Sequence, residues 1–542
     1  MDRIKTEISF ILFILSSFYW PLFFISPIPC HADWAERTLE SMTLKEKVGQ
    51  LFLVPACQLR DADHLEDLYR MIDTYHIGGI LLKQGTIDGQ VKLIEILQER
   101  SSLPLLCVQD AEWGLSMRLT DAIRFPKNLT LGAIDDPHLI YALGKEIGRQ
   151  CRNAGVHLNC SPVADVNSNP HNQIIHMRSF SDDPKRVALY ATQMMLGIQS
   201  EGVIACGKHF PGHGDTSVDS HDDLPAVLHD RRRLEEVEWV PFQSLIHNGV
   251  GALMSAHLFV PELEPCSRVP ATFSRSVLGY AKRMGFEGLC ITDALNMKAV
   301  ARYFSPEQAA LLAHFAGNDL LLYGDHIAPS IDEILRVQVP AAIEALIAHY
   351  SEAGALLARL DAHVLKILKA KQEVCFPRRI GCIRYANQEE MTRDLKRKLY
   401  EAALTEVHAA PGLLPLQTAE KLAVVSIGYM QPFIDELSKD YIVDTVDLET
   451  LDFDGYSHVI LALSGIYPWE KHLEELEALK AIKKKHPRVI AVVFDSPYCA
   501  QELAFSDALI LAYEDDLDAQ SAAAQVLQGK LPPLGRLPII LR

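Results

Sequence analysis

Val203-Ile204-Ala205-Cys206-Gly207-Lys208-His209-Phe210-Pro211-Gly212-His213-Gly214-Asp215 opens as a short apolar run and closes in a crowd of charged and hydrogen-bonding side chains. Four apolar residues bounded by glycine are too few for a helix, so Val203 to Cys206 reads as a buried strand. The same grammar recurs outward in both directions. Leu51 to Val54, Ile77 to Leu82, Leu103 to Val108 and Val156 to Cys160 precede it; Ala252 to Met254, Gly288 to Thr292 and Leu320 to Tyr323 follow. Between them lie stretches with helical spacing, such as Pro184 to Gln199 and Arg233 to His247. Strands alternating with helices imply a parallel sheet with right-handed crossovers. Eight such runs within about 280 residues match a closed (β/α)8 barrel better than an open sheet.

At 542 residues the chain is too long for one core. A helical stretch, Ala341 to Lys371, leads out of the barrel. After about residue 395 a second α/β pattern begins, with strands at Leu422 to Ile427, Val459 to Leu463, Val489 to Phe494 and Ala508 to Leu511, and a helix over Lys471 to Lys484. It reads as a smaller open parallel sheet with its own core. The expected division is an export segment over 1–32, a catalytic barrel over 33–375, a linker over 376–394 and the α/β domain over 395–542. The export reading rests on Arg3 and Lys5 before an apolar run from Ile8 to Ile28, and on a small-residue cleavage site at Cys30-His31-Ala32. An uncleaved anchor is the alternative, and the only membrane contact expected. Either way the bulk of the chain is expected to be exported, to the periplasm or cell envelope.

A formal charge of −18 without a long basic block excludes a nucleic-acid partner, because phosphate binding needs concentrated positive charge. A neutral or weakly charged substrate fits better. Of the eleven cysteines, Cys107, Cys160 and Cys290 lie in strand-like runs and read as small buried hydrophobes. Cys375 and Cys382 sit in loop-like sequence, and no bridge is assigned to them.

A barrel carries its active site at the C-terminal ends of its strands. Asp110 and Glu112, Lys208 and His209, His257, and Asp293 occupy such positions. His209 and His213, four apart, invite a metal reading. Pro211-Gly212 prevents the helix that would align them, so no metal or cofactor is assigned. Asp219-Ser220-His221 places a carboxylate where it can bond one ring nitrogen, leaving the other to move protons near neutral pH. Asp293, after Gly288 to Thr292, can be a nucleophile at an anomeric carbon or the cap of a helix. In the second domain Asp495 and Glu514, also at strand ends, read as helix caps.

These residues resemble glycoside hydrolase family 3, in its β-N-acetylglucosaminidase branch. Met42 to Gln50 resembles the family's opening helix. Ser161 to Val166, Arg178-Ser179-Phe180 and Asp183-Pro184 are similar to its middle signature. Lys208 to Gly214 with Asp219-Ser220-His221 looks like the branch's most diagnostic stretch, Pro270 to Ser274 and Thr292 to Ala299 like its nucleophile region, and Gly535 to Pro538 like its closing motif. The resemblance implies an exo-acting, retaining β-N-acetylhexosaminidase acting on carbohydrate, with peptidoglycan fragments as the expected source. Asp293 would be the nucleophile, His221 the acid/base and Asp219 its orienting partner; Asp110, Arg118, Arg178, Lys208 and His209 would hold the sugar. The types suit that task, since carboxylates accept from hydroxyls and Arg or Lys donate to hydroxyl and acetamido oxygens. One departure is Glu112-Trp113-Gly114 in place of the family's Glu-Gly-Gly. Trp113 reads either as a sugar platform or as core packing. The rivals are a β-glucosidase-like relative, a phosphorylase that uses phosphate instead of water, and a silent sugar-binding protein of the envelope.

Overall fold

The computed structural model of the chain describes residues 33–216, 223–265, 268–324, 330–376, 388–448 and 452–541. Eight strands, β1 (Phe52–Ala56), β2 (Gly79–Leu82), β3 (Leu106–Gln109), β4 (Leu158–Asn159), β5 (Ile204–Phe210), β6 (Ala252–Ser255), β7 (Leu289–Thr292) and β8 (Leu321–Leu322), pair in parallel. The order runs β7-β6-β5-β4-β3-β2-β1-β8. The ring closes where the Leu320 amide donates to the Cys290 carbonyl and the Thr292 amide to the Leu320 carbonyl, both at 3.0 Å. Every residue of these strands is buried, because side chains point inward to the barrel core or outward beneath the helices. That is why the strands are mostly apolar instead of alternating, with their polar residues kept toward the C-terminal ends.

The helices start where the sequence supplies caps. Asp136 and Asp183 each precede a proline and accept a backbone N–H, opening Pro137–Asn153 and Pro184–Ser200. These two helices pack so closely that a Cβ on Gly197 would lie 2.4 Å from the Tyr141 carbonyl oxygen. The expected continuous helix from Ala341 to Lys371 is two helices instead, Val339–Glu352 and Leu357–Cys375. The break falls at Ala353-Gly354, where Ala353 leaves helical geometry and glycine weakens the run. None of the described helices is long and apolar enough to cross a membrane, and the run Ile8 to Ile28 lies outside the described residues. The described cysteines are all free thiols; Cys30, Cys266 and Cys382 lie outside the described residues.

The second sheet contains β9 (Thr405–Ala409), β10 (Lys421–Ile427), β11 (Ile442–Thr445), β12 (His458–Leu463), β13 (Val489–Val493) and β14 (Ala508–Leu511), in the order β11-β10-β12-β13-β14-β9. It is mixed, not wholly parallel as expected: β9 pairs antiparallel with β14. Both edge strands escaped the sequence reading, since only Thr405 of β9 is buried and no residue of β11 is. An edge strand half in water lacks the dense apolar run of its neighbours. In the central strands the pleat divides the apolar residues. Leu422 and Val424 join one cluster within this domain, while Ala423 and Val425 join a cluster continuous with the barrel core. The sheet is thereby seated on the barrel through buried apolar surface.

Candidate active site

A cavity of about 280 Å³ opens at the C-terminal mouth of the barrel. Five of the sugar-holding positions expected from sequence line it together: Asp110, Arg118, Arg178, Lys208 and His209, with Asp293 across from them. They come from different strands, and each is placed by a local backbone device. Asp110 and Glu112 follow β3. There Gly114 adopts φ +86°, and a Cβ on it would meet the Phe125 ring at 2.9 Å. Lys208 and His209 belong to β5 itself, which runs four residues past the expected end at Cys206. Lys208 donates its amide to the Pro162 carbonyl and accepts from Ala164, so the chain after β4 extends the ladder. The register against β6 shifts between Gly207 and Phe210, a bulge-like irregularity that accompanies two consecutive side chains both reaching the cavity.

The charges form one buried network. Lys208 Nζ lies 2.9 Å from Asp110 and 2.8 Å from Glu112. Arg118 donates to Asp110 at 2.7 Å, and Arg178 grips Glu112 with Nε at 3.0 Å and Nη2 at 2.8 Å. Burial opposes the charge of both carboxylates, but the cations prevail. Lys208 and Arg118 hold Asp110 well below the usual carboxylate range, and Arg178 and Lys208 lower Glu112 to about 2. Lys208 itself is raised, its desolvation outweighed by Asp110 and Glu112. All of these groups therefore stay ionised at neutral pH, arrayed as fixed donors and acceptors.

Asp293 presents its carboxylate beside this network. Its amide donates to the Ser255 carbonyl at 3.0 Å, and its Oδ1 accepts from Ala294 N at 2.8 Å. The capping alternative does not hold, because the next helix starts at Lys298 with Met297 at the cap position. Desolvation would raise its pKa; His257, His209, the Ala294 amide and Lys208 more than compensate and lower it. His257 holds the following peptide, since its Nε2 donates to the Ala294 carbonyl at 2.9 Å.

Asp165 organises the histidines. Fully buried, it accepts from His209 Nδ1 at 2.7 Å and from the His213 amide at 2.7 Å. His209 Nδ1 thus carries the proton, and its Nε2, 3.4 Å from Arg178 Nη2, faces the cavity as the acceptor. His213 is tied through Nδ1 to Thr216 at 2.8 Å, and burial lowers its pKa to about 4. Each ring therefore has a protein partner at Nδ1, and among the described residues no group of three or more His, Cys, Asp and Glu could hold a metal. Asp219 and His221 lie outside the described residues. The chain before residue 217 is anchored at the cavity wall through Thr216 and His213, and Asp215 is hydrogen-bonded to His229.

Trp113 is half-buried and lines the cavity, with the Lys127 ammonium 5.6 Å over its ring. It is a wall of the site, not core. Glu112 and His257 stood among the strand-end candidates but were given no role, and Asp165 lay within a recognised motif without being singled out. The structure also corrects two expected helix caps. Asp495 accepts from the amides of Ile466, Tyr467 and Ser496, and Ser496 caps the following turn instead. Glu514 reaches the barrel, accepting from Arg124 Nη2, Lys127 N and Thr130 Oγ1 at 2.6–2.9 Å. Neighbouring Asn128 donates to the Arg178 carbonyl at 2.6 Å. His176, two residues before Arg178, stacks on Tyr467 and Tyr498 of the second domain.

Comparison with known proteins places the fold in a family. Residues 43–367, more than half of the chain, match the glycosyl hydrolase family 3 N terminal domain. A solved family 3 β-N-acetylglucosaminidase from Paenibacillus sp. str. FPU-7 superposes with a TM-score of 0.77 at 28% identity, covering 92% of this chain and 99% of that one. β-Hexosaminidase A of Pseudoalteromonas piscicida is 31% identical over 383 residues, 65% of this chain and 62% of its own length. The chain thus spans less than two thirds of that relative. A β-hexosaminidase of Nitrosospira multiformis is 33% identical over 258 residues, 45% of this chain and 73% of its own.

Proposed function

The chain belongs to glycosyl hydrolase family 3, and within it we propose an exo-acting β-N-acetylhexosaminidase that releases terminal β-linked N-acetylglucosamine with retained configuration. The observation that carries the proposal is an ionised Asp293 facing a cavity rimmed by Asp110, Arg118, Arg178, Lys208 and His209. A cavity of about 280 Å³ is near the small end of ligand sites and suits one sugar ring. The fixed cations donate to hydroxyl and acetamido oxygens, and Asp110 accepts from hydroxyls.

In this reading Asp293 attacks the anomeric carbon as the glycosidic C–O bond breaks. The departing oxygen takes a proton from the imidazolium of His221, which Asp219 orients. Water then attacks the glycosyl–Asp293 ester from the same side as the departed group, giving its proton to the now neutral His221 and freeing Asp293. The cavity lining among the described residues comes wholly from the barrel. That favours an acid supplied by a barrel loop over the β-glucosidase-like alternative with one from the second domain. Export to the periplasm or envelope through the N-terminal segment, and peptidoglycan fragments as the natural source, complete the proposal.

The deciding assay compares nitrophenyl N-acetyl-β-glucosaminide with the corresponding glucoside; preference for the glucoside refutes the assignment. Rate dependence on phosphate would reveal the phosphorylase instead. A fluorinated donor sugar should label Asp293, and an unlabelled Asp293 after inactivation rejects the covalent step. His221→Ala should spare substrates with good leaving groups far more than natural glycosides; equal losses contradict its role.

A further inference from the structure

On the same face of the barrel a second and larger cavity, about 620 Å³, lies between the segment after β4 and the second domain. Asn167, Ser168 and Gln173 line it from the barrel; Tyr467, Tyr498 and Gln501 line it from the other domain. Gln173 lines this groove while the adjacent Ile174 lines the catalytic cavity, so one stretch of chain forms the ridge between them.

Two features mark the groove as a binding site. Asn167 is 1% exposed and donates its amide to the Tyr498 hydroxyl at 3.0 Å, yet its Oδ1 has no partner. Ser168 Oγ beside it is likewise buried and unpaired. Buried polar atoms without partners are costly, and here both sit just beneath the wall of a cavity that their residues line and that is large enough to deliver donors. The opposite wall brings half-buried tyrosines, surfaces on which the C–H faces of a pyranose pack. Charge narrows the choice further: Asp182, Glu470 and Glu502 line the groove against Lys471 as its one lysine, which opposes an acidic peptide.

We propose that this groove is a distal carbohydrate site that takes an uncharged N-acetylhexosamine ring further along the glycan whose end enters the catalytic cavity. A turn of the Asn167 and Ser168 side chains toward the groove lets hydroxyl or acetamido N–H groups of that ring donate to Asn167 Oδ1 and Ser168 Oγ, and the ring lies against the tyrosines. The proposal rests on the reading of the cavity as an N-acetylhexosaminidase site and assigns the second domain a part in choosing substrate length.

Gln501→Trp fills the groove from an exposed position away from the catalytic cavity. The N-acetylglucosamine tetramer should lose about tenfold in kcat/KM, through KM, while nitrophenyl N-acetyl-β-glucosaminide stays within about twofold. Exposed Gln173→Ala should move the ratio the same way by a smaller factor. Parallel behaviour of the two substrates, whether unchanged or lowered together, overturns the groove. If the wild type cleaves neither substrate, the catalytic reading fails by itself, and calorimetric titration with the tetramer tests the groove: tighter binding by wild type than by Gln501→Trp supports it, equal binding overturns it. Tight binding of an anionic stem peptide that Gln501→Trp abolishes, with no effect on the tetramer, overturns the glycan in favour of peptide.

Discussion

The barrel holds two buried carboxylate clusters, one at each end, built from the same kinds of residue. At the mouth, Asp110 and Glu112 share Lys208, and each has an arginine of its own, Arg118 and Arg178. At the floor, Asp319 accepts from His363 Nδ1 at 2.6 Å, from Lys366 at 2.7 Å and from the Cys290 amide at 2.8 Å. Both ends hold their carboxyls below the usual range against the penalty of burial. They differ in what they surround. The mouth cluster rings a cavity, whereas Asp319 is 1% exposed and its bonds tie β7 and β8 to the closing helix Leu357–Cys375. Paired charge alone therefore does not mark a site; paired charge around empty space does. A barrel rule that assigns chemistry to one end and stability to the other gives the same division.

Substitutions at the two ends should separate activity from stability. Asp293→Asn should lower kcat about ten-thousand-fold while the melting temperature stays near that of the parent. A comparable loss of stability would place Asp293 with the floor group. Asp319→Asn should do the reverse, destabilising by about 3 kcal/mol in denaturant titration because Lys366 and His363 lose their common partner. An unchanged unfolding midpoint would break the comparison. Lys208→Met should cost about a hundredfold in kcat/KM, since Asp110 and Glu112 are left without their shared cation; retention of substrate affinity would show that Arg118 and Arg178 suffice.

A smaller effect concerns acid. Burial lowers His213 at the mouth to about 4 and His314 at the floor to about 3. Above pH 6.5 both are neutral folded or unfolded, so they contribute nothing to pH dependence. As pH falls below 6.5 the unfolded chain gains protons that the folded one refuses. Stability then declines until the folded values are reached, by about 2 kcal/mol per group at pH 5. Unfolding free energies for the parent and His314→Gln between pH 7.5 and 5 should converge toward acid. Parallel curves would show that His314 takes its proton in the folded state.

Much of this was legible before the structure. The residues at the barrel mouth could be read because a barrel forces polar side chains at strand ends into one place, and a family resemblance turned Asp293 from an ambiguous carboxylate into the proposed nucleophile. What sequence could not supply was anything set by contact between distant segments. The end of β5 depends on Pro162 and Ala164 accepting and donating to Lys208, which no local pattern around Cys206 encodes. Glu514 looked like a cap because its partners lie about 390 residues away. The strands β9 and β11 were missed for the opposite reason: their sequences are honest records of half-wet edges.

His176 stacks on two tyrosines of the neighbouring domain, and the arginine that grips Glu112 follows two positions later. On warming, loosening of the smaller domain should reach the rim of the cavity through that stack. Affinity for sugar should then fade at a temperature below that at which the barrel loses its circular dichroism, making the accessory lobe a thermal fuse for the enzyme.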